Sequence, residues 1–170
     1  MLRESLRSGR LDMMIGPLGA DDPDLARHAL LEDELVVVAS PTHPIFRQPF
    51  QLADLCRYRW VLAPPGVSAR NWLDNVFLSH QLPLPVAQIE TNSISMMPRL
   101  IARTHLLSFL ARETLEFGKG RDRLIEVPMA ETTMRRSIGM TLRNGAYLSP
   151  AAQAMVQMLK EQGSSFFNPG

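Results

Sequence analysis

Chemistry in this 170-residue chain would have to come from a few scattered groups, and none of them forms a reacting pair. Gly66-Val67-Ser68-Ala69-Arg70 comes nearest to a nucleophile elbow, G-x-S-x-G. Arg70 occupies the second glycine position and Pro64-Pro65 stiffen the approach, whereas that strained strand-to-helix turn needs small residues. Ser68 therefore reads as a helix cap. Gly118-Lys119-Gly120 lacks the spacing and the Ser/Thr of a phosphate-binding loop and reads as a surface turn. His28, His43, His80 and His105 show no metal-ligand spacing, and Cys56 has no partner cysteine, so no metal, cofactor or catalytic residue is assigned. His105 reads as a strand-edge residue, and Glu32, Asp33 and Glu34 as a solvated charge run.

Groups suited to holding a ligand are better represented. Ser68 and the run Thr91-Asn92-Ser93 each stand where a strand gives way to a helix. A helix N-terminus exposes unpaired amides and favours an anion by about 0.3–1 kcal/mol, up to about 2 kcal/mol when partly buried. Two such termini facing one crevice would suit a carboxylate. The same residues could equally do no more than satisfy their own helices. Arg70 has two readings as well, pairing with Asp74 one turn on or with an anionic ligand.

The positioning elements follow from the apolar pattern. Leu2 and Leu6 share a helix face, and Gly9 is a C-cap signal. Leu11–Ile15 is a short strand stopped by a turn at Gly16-Pro17, and residues 18–28 form a loop. Leu30–Ala39 contains Leu35-Val36-Val37-Val38, a run suited to burial on both faces. Gln51–Leu55 predicts a short helix, Arg59–Leu62 a strand, Ala69–His80 a helix with Trp72, Val76 and Phe77 on its apolar side, and Val86–Glu90 a strand. In Glu90–Gly118 a helix carrying Ile94, Met97 and Ile101 leads to a buried strand, Leu106–Leu110, and a second helix near Ala111. Leu124–Val127 and Arg135–Leu142 are strands. Asn144-Gly145 is a turn, and Ser149-Pro150 opens a helix to about Glu161, with a frayed tail beyond. Strands alternating with helices predict an α/β fold of parallel βαβ units.

Composition narrows the class. Apolar residues make up 45% and charged residues 21%, as in an ordinary globular protein, and the formal charge of +1 is too balanced for a domain built around nucleic-acid phosphate. The single cysteine permits no internal disulfide, which fits a reducing, cytoplasmic setting. No apolar run approaches the roughly 18 residues of a membrane span. The abrupt amphipathic start is expected to be internal to a longer chain.

Several segments together resemble the effector-binding region of LysR-type transcriptional regulators, nearest the subgroup named for the galactose-binding-protein regulator. They are Leu6–Gly16 (LRSGRLDMMIG), Asp33–Pro44 (DELVVVASPTHP), Leu52–Leu55 (LADL), Trp60–Gly66 (WVLAPPG), Glu90–Ser95 (ETNSIS), Leu106–Leu115 (LLSFLARETL) and Leu148–Ala152 (LSPAA). The resemblance implies a type 2 periplasmic-binding-protein-like fold of two α/β lobes. Lobe I would be about 1–40 and 136–165, lobe II about 41–135, with crossings near Val38–Pro41 and Thr133–Gly139. It also implies an effector between the lobes, contacted at Gly16 and Pro17, Ser68 and Arg70, Asn92 and Ser93, and Ser108 and Phe109. The implied partners are a small organic acid or sugar derivative and a second copy of the chain, with tetramers in the full-length protein. DNA would be reached only through a helix-turn-helix domain outside this chain, and no membrane is involved.

This chain departs from the family pattern in two ways. The helix-turn-helix and the first strand–helix–strand of lobe I are expected to lie outside these 170 residues, and Arg103-Thr104-His105 stands where many members carry a glycine-rich turn. The rival readings are a transport receptor of the same fold and an α/β enzyme without an assigned reaction.

Overall fold

The computed structural model describes residues 2–117 and 122–167. Met1, the expected turn at Gly118-Lys119-Gly120 and the last tail residues lie outside them. The chain divides into two compact units, one made of the residues up to Asp33 together with those from Arg135 onward, the other of Glu34–Met134.

In the first unit, helix α1 (Leu2–Arg7) ends at Gly9, whose φ of +73° is the left-handed conformation expected of a C-cap. Strand β1 (Met13–Pro17) pairs antiparallel with β7 (Met134–Arg143), Gly16 opposite Gly139 and Pro17 opposite Ile138. Gly16 and Pro17 are thus the end of the strand rather than the turn after it. β1 closes one end of the strand order, and an edge strand tolerates a proline whose missing N–H costs no ladder bond. The predicted loop is also shorter than expected, because β2 (Leu25–Ala39) begins at Leu25, whose side chain is buried. Helix α5 (Pro150–Phe167) is capped by Ser149, whose hydroxyl accepts from the Ala152 amide at 3.2 Å, and runs past Glu161. Val156 and Leu159 of this helix pack on Leu30, Met140 and Leu142.

In the second unit the sheet continues from β2 through β5 (Leu106–Ala111) and β3 (Arg59–Leu62) to β4 (Val86–Glu90), with β6 (Ile125–Glu126) also on β2. β5, β3 and β4 run parallel, and β2 is antiparallel to β5. The expected uniform parallel order therefore holds for one part of one unit. Helix α2 (Ser68–Ser79) covers one face through Leu73 and Phe77, which pack with Val37, Trp60, Leu107 and Phe109. Helix α3 (Met97–Ala102) covers the other through Met97 and Ile101, against Val36, Val38, Val61, Leu106 and Leu110. The helix expected at Gln51–Leu55 is a 3-10 turn, Leu52–Arg57, and the one expected near Ala111 is a short α4, Thr114–Phe117.

The acidic run is engaged rather than solvated. Asp33 accepts from Arg136 at 2.6 and 2.8 Å, Glu32 pairs with Ser137, and Glu34 with Arg112, which also clamps Glu126 at 2.9 Å through two nitrogens. The alternation of a strand brings each carboxylate opposite a cationic or hydroxyl partner on a neighbouring element.

His43 is fully enclosed, and its two bonds define its tautomer. Nδ1 accepts from the Ile45 amide at 3.1 Å, leaving Nε2–H to donate to the His105 carbonyl, also at 3.1 Å. Burial holds its pKa below the usual imidazole value of 6.5, against the smaller opposing effect of the His105 carbonyl. Its contribution to stability is therefore full above pH 6.5 and is lost as the pH falls, because the unfolded chain takes up the proton more readily. His28 is shifted in the same direction, chiefly by burial.

Two outcomes follow. His43→Gln flattens, without abolishing, the fall in melting temperature between about pH 7 and pH 5; slopes equal to wild type would show that His43 does not titrate on unfolding. A Cβ on Gly139 would sit 2.4 Å from the His28 carbonyl oxygen, whereas one on Gly16 meets nothing within 4 Å. Urea unfolding is therefore expected to show Gly139→Ala destabilised by about 1–3 kcal/mol and Gly16→Ala close to wild type.

Candidate functional site

Parallel strands β5, β3 and β4 end on one edge of the second unit, and the loops that leave that edge hold most of the polar candidates. Leu62 and Glu90 are register partners at the ends of β3 and β4, and the Thr91 amide donates to the Leu62 carbonyl at 3.0 Å. The loop 63–67 and the segment 91–96 thus start side by side. In open α/β sheets this carboxyl edge is where ligands lie.

Ser68 is the first residue of α2, not its cap. The cap is Val67, with no side-chain bond, and Asn71 reaches back instead, its Oδ1 accepting from the Gly66 amide at 3.1 Å. The Gly66 φ of +91° allows the tight entry that places this amide. The Ser68 hydroxyl is left exposed at the sheet edge, free of a capping duty.

Asn92 and Ser93 likewise do not cap the helix that follows. α3 starts only at Met97, because a helix from residue 94 would need an amide N–H at residue 98, where Pro98 has none. The intervening residues form a turn. The Thr91 hydroxyl accepts from the Ser93 amide at 3.0 Å, the Ser93 carbonyl accepts from Met96 at 3.1 Å and Met97 at 3.3 Å, and the Ser93 and Ser95 hydroxyls are 3.4 Å apart. Ile94, expected in the helix core, is 73% exposed at this turn.

Arg70 is only 8% exposed and lies where both loops meet. Its Nε donates to both oxygens of Asp74 at 2.9 and 3.0 Å, one terminal nitrogen donates to the Ala63 carbonyl at 3.3 Å, and Glu90 stands 3.9 Å away. The pairing with Asp74, one of its two readings, is present. The guanidinium ties the start of α2 to the ends of β3 and β4, and its charge is already met by two carboxylates.

Ser108 and Phe109 lie deeper. Ser108 has no exposed surface, and its hydroxyl donates to the Val61 carbonyl at 2.7 Å. Phe109 is 7% exposed and stacks flat on Trp72, ring centroids 5.7 Å apart and planes 2° from parallel. Trp72, one turn into α2, therefore lies between Phe109 and solvent. Gly16 and Pro17 belong to the first unit. Glu90, Asn71 and Trp72 were not singled out from sequence as parts of this edge. The signal for Asn71 was present in its spacing from Gly66, a side-chain acceptor five residues after a loop glycine.

Among the described residues no group of three or more His, Cys, Asp or Glu could hold a metal ion, and no helix is long and apolar enough to cross a membrane. Comparison with known proteins decides the class. Residues 1–164 match the family described as the LysR substrate binding domain. The chain belongs to this family.

Among curated relatives of this LysR-family chain, the HTH-type transcriptional regulator GalR of Pseudomonas putida is 30% identical over 163 residues, which cover 95% of the chain and 41% of the relative. The regulator GbpR of Rhizobium radiobacter is 32% identical over 124 residues, covering 71% of the chain and 41% of the relative. The chain thus spans well under half the length of these two relatives. Among solved structures, the CcmR regulatory domain of Synechocystis in complex with 2-PG superposes with a TM-score of 0.79 at 22% identity, over 94% of this chain and 77% of that one. The effector-binding domain of QuiR in complex with shikimate gives 0.73 at 20% identity, over 96% and 77%. The LysR chain has the type 2 periplasmic-binding-protein-like fold of these regulatory domains.

Arg70 and Asp74 provide a direct energetic check on the site's frame. In a double-mutant cycle with Arg70→Met and Asp74→Asn, chemical denaturation is expected to give a coupling of about 1–3 kcal/mol. A coupling near zero would mean that Asp74 does not fix the guanidinium that meets the Ala63 carbonyl.

Proposed function

We propose that this chain is the effector-sensing portion of a longer LysR-type transcription regulator, non-enzymatic and cytoplasmic. Its effector is a small organic acid or sugar derivative, taken up at the carboxyl edge of β3 and β4. The observation that carries this reading is the polar turn Thr91–Ser95, set beside the Ser68 hydroxyl by the Leu62–Glu90 register and braced by Arg70. Ser68, Asn92 and Ser93 make the direct contacts. Arg70 positions the two loops, and Ser108 and Phe109 support them from behind. Gly16 and Pro17 of the first unit remain in the candidate set through the resemblance to the family.

With the guanidinium already paired, the edge offers hydroxyls, a carboxamide and backbone amides rather than a free cation. That chemistry suits a ligand carrying several hydroxyl groups and at most one carboxylate. The effector acts by population shift, favouring one arrangement of the chain only as far as it binds that arrangement more tightly. The response passes through self-association, as a homodimer and as a tetramer in the full-length regulator, to a helix-turn-helix domain that contacts DNA.

Thermal-shift titration with a panel of small acids and sugar derivatives tests the reading, with shikimate and 2-PG, the ligands named for two similar structures, as the first probes. A ligand that stabilises wild type is expected to lose about tenfold in affinity with Ser68→Ala or Asn92→Ala, roughly 1.4 kcal/mol, while the unliganded melting temperatures stay close to wild type. Equal responses in mutants and wild type would overturn the assignment.

A further inference from the structure

The opposite edge of the same strands carries a concavity with a different chemistry. A pocket of about 410 Å³ is lined by Arg57, Tyr58, Arg59, Gln88, Thr104, His105 and Leu106, within the size range of small-ligand sites. It lies at the amino ends of β3 and β5, where Arg59 is the register partner of Leu106. Among the described residues its lining includes Arg57, Arg59 and His105 and no Asp or Glu.

The charges there are only partly met. Arg57 stands 3.4 Å from Asp54 with its side chain mostly exposed, and Arg103, in the adjoining turn, is likewise 3.4 Å from Asp122. The Arg59 side chain has neither an ion pair nor a hydrogen bond among the described residues. Neutral donors surround it. The pairing of β3 with β4 slips between Trp60 and Val61, which face Ala87 and Ile89, so that Gln88 is the extra residue of a bulge. Bulges re-aim a side chain, and this one gives the pocket a carboxamide. The Tyr58 ring is braced against the enclosed His43 ring, centroids 4.5 Å apart, and the His105 ring stands edge-on to His43 at 6.0 Å. The walls are thus held from behind by a buried side chain with both nitrogens bonded.

We propose that this pocket is a second binding site, for a small metabolite bearing a phosphate group. A phosphate monoester carries close to two negative charges and three acceptor oxygens, which matches two planar guanidinium forks and an imidazole better than a single carboxylate does. The site is independent of the carboxyl-edge site: Arg59 opens β3 and Leu62 closes it, about 10 Å apart for a strand of this length.

The test is a thermal-shift and calorimetric titration of the chain with inorganic phosphate, against sodium chloride at matched ionic strength. Wild type is expected to show a saturable response to phosphate beyond that to chloride. Arg59→Gln should raise the half-saturating concentration about tenfold and Gln88→Ala severalfold. Ser93→Ala, at the other edge, should titrate as wild type. The Arg59 side chain has no ion-pair or hydrogen-bond partner among the described residues, so its variant should match wild type before phosphate is added. Equal stabilisation by phosphate and chloride, an unchanged titration in Arg59→Gln, or loss of the response in Ser93→Ala would each overturn the proposal. Failure of the carboxyl-edge reading would leave the expected Arg59→Gln result untouched.

Discussion

Burial of β5 on both faces is the constraint from which the second unit follows. Leu107 and Phe109 point into the cluster under α2, Leu106 and Leu110 into the cluster under α3, and Ser108 between them has no exposed surface. Enclosing each large apolar side chain contributes about 1.5–3 kcal/mol, but it also removes the strand's backbone from water, so both of its hydrogen-bonding sides must be occupied. β2 fills one side antiparallel and β3 the other parallel. The Ser108 hydroxyl, which could not be left unpaired in that interior, is taken up by the Val61 carbonyl. With β5 and β3 parallel and β4 added beyond, three strands end on one edge and begin on the other, and each edge gathers loops of a different chemistry.

The two edges differ because their charges are resolved differently. At the carboxyl edge the buried Arg70 is surrounded by Asp74, the Ala63 carbonyl and Glu90, so the groups left over are hydroxyls and amides. At the amino edge Arg57 and Arg59 line one pocket, and the acid beside Arg57, Asp54, is not among the residues that line it. A polar surface and an arginine-bearing one thus lie at opposite ends of the same strands.

Much of this was legible in the sequence wherever apolar pattern decides structure. Leu35–Val38 and Leu106–Leu110 lie buried as their continuous apolar runs imply, and Gly9 and Ser149-Pro150 end and begin helices as their residue types require. Local chemistry misled where a single residue several positions away held the veto. The cap-forming run Thr91-Asn92-Ser93 looked like a helix start, but Pro98 denies an amide to any helix begun there, and the run became a turn. Ser68 looked like a cap until Asn71 took over the loop amide. The direction of β2 was hidden for another reason. A buried strand pairs equally well either way as far as its own side chains are concerned, and β2 runs antiparallel to β5. The acidic run at residues 32–34 was opaque likewise, since its partners Arg136, Ser137 and Arg112 are distant in sequence.

The central claim is that the polar carboxyl edge of the second unit receives the effector. Amide chemical-shift mapping of the isotope-labelled chain, titrated to saturation with whichever sugar derivative or monocarboxylic acid stabilises it, reads this directly. The account predicts that the largest perturbations in the second unit fall on residues 63–71 and 90–96, while Arg57–Arg59 and Gln88 stay in place. Perturbations confined to other parts of the chain at saturation, with residues 90–96 unmoved, would contradict it.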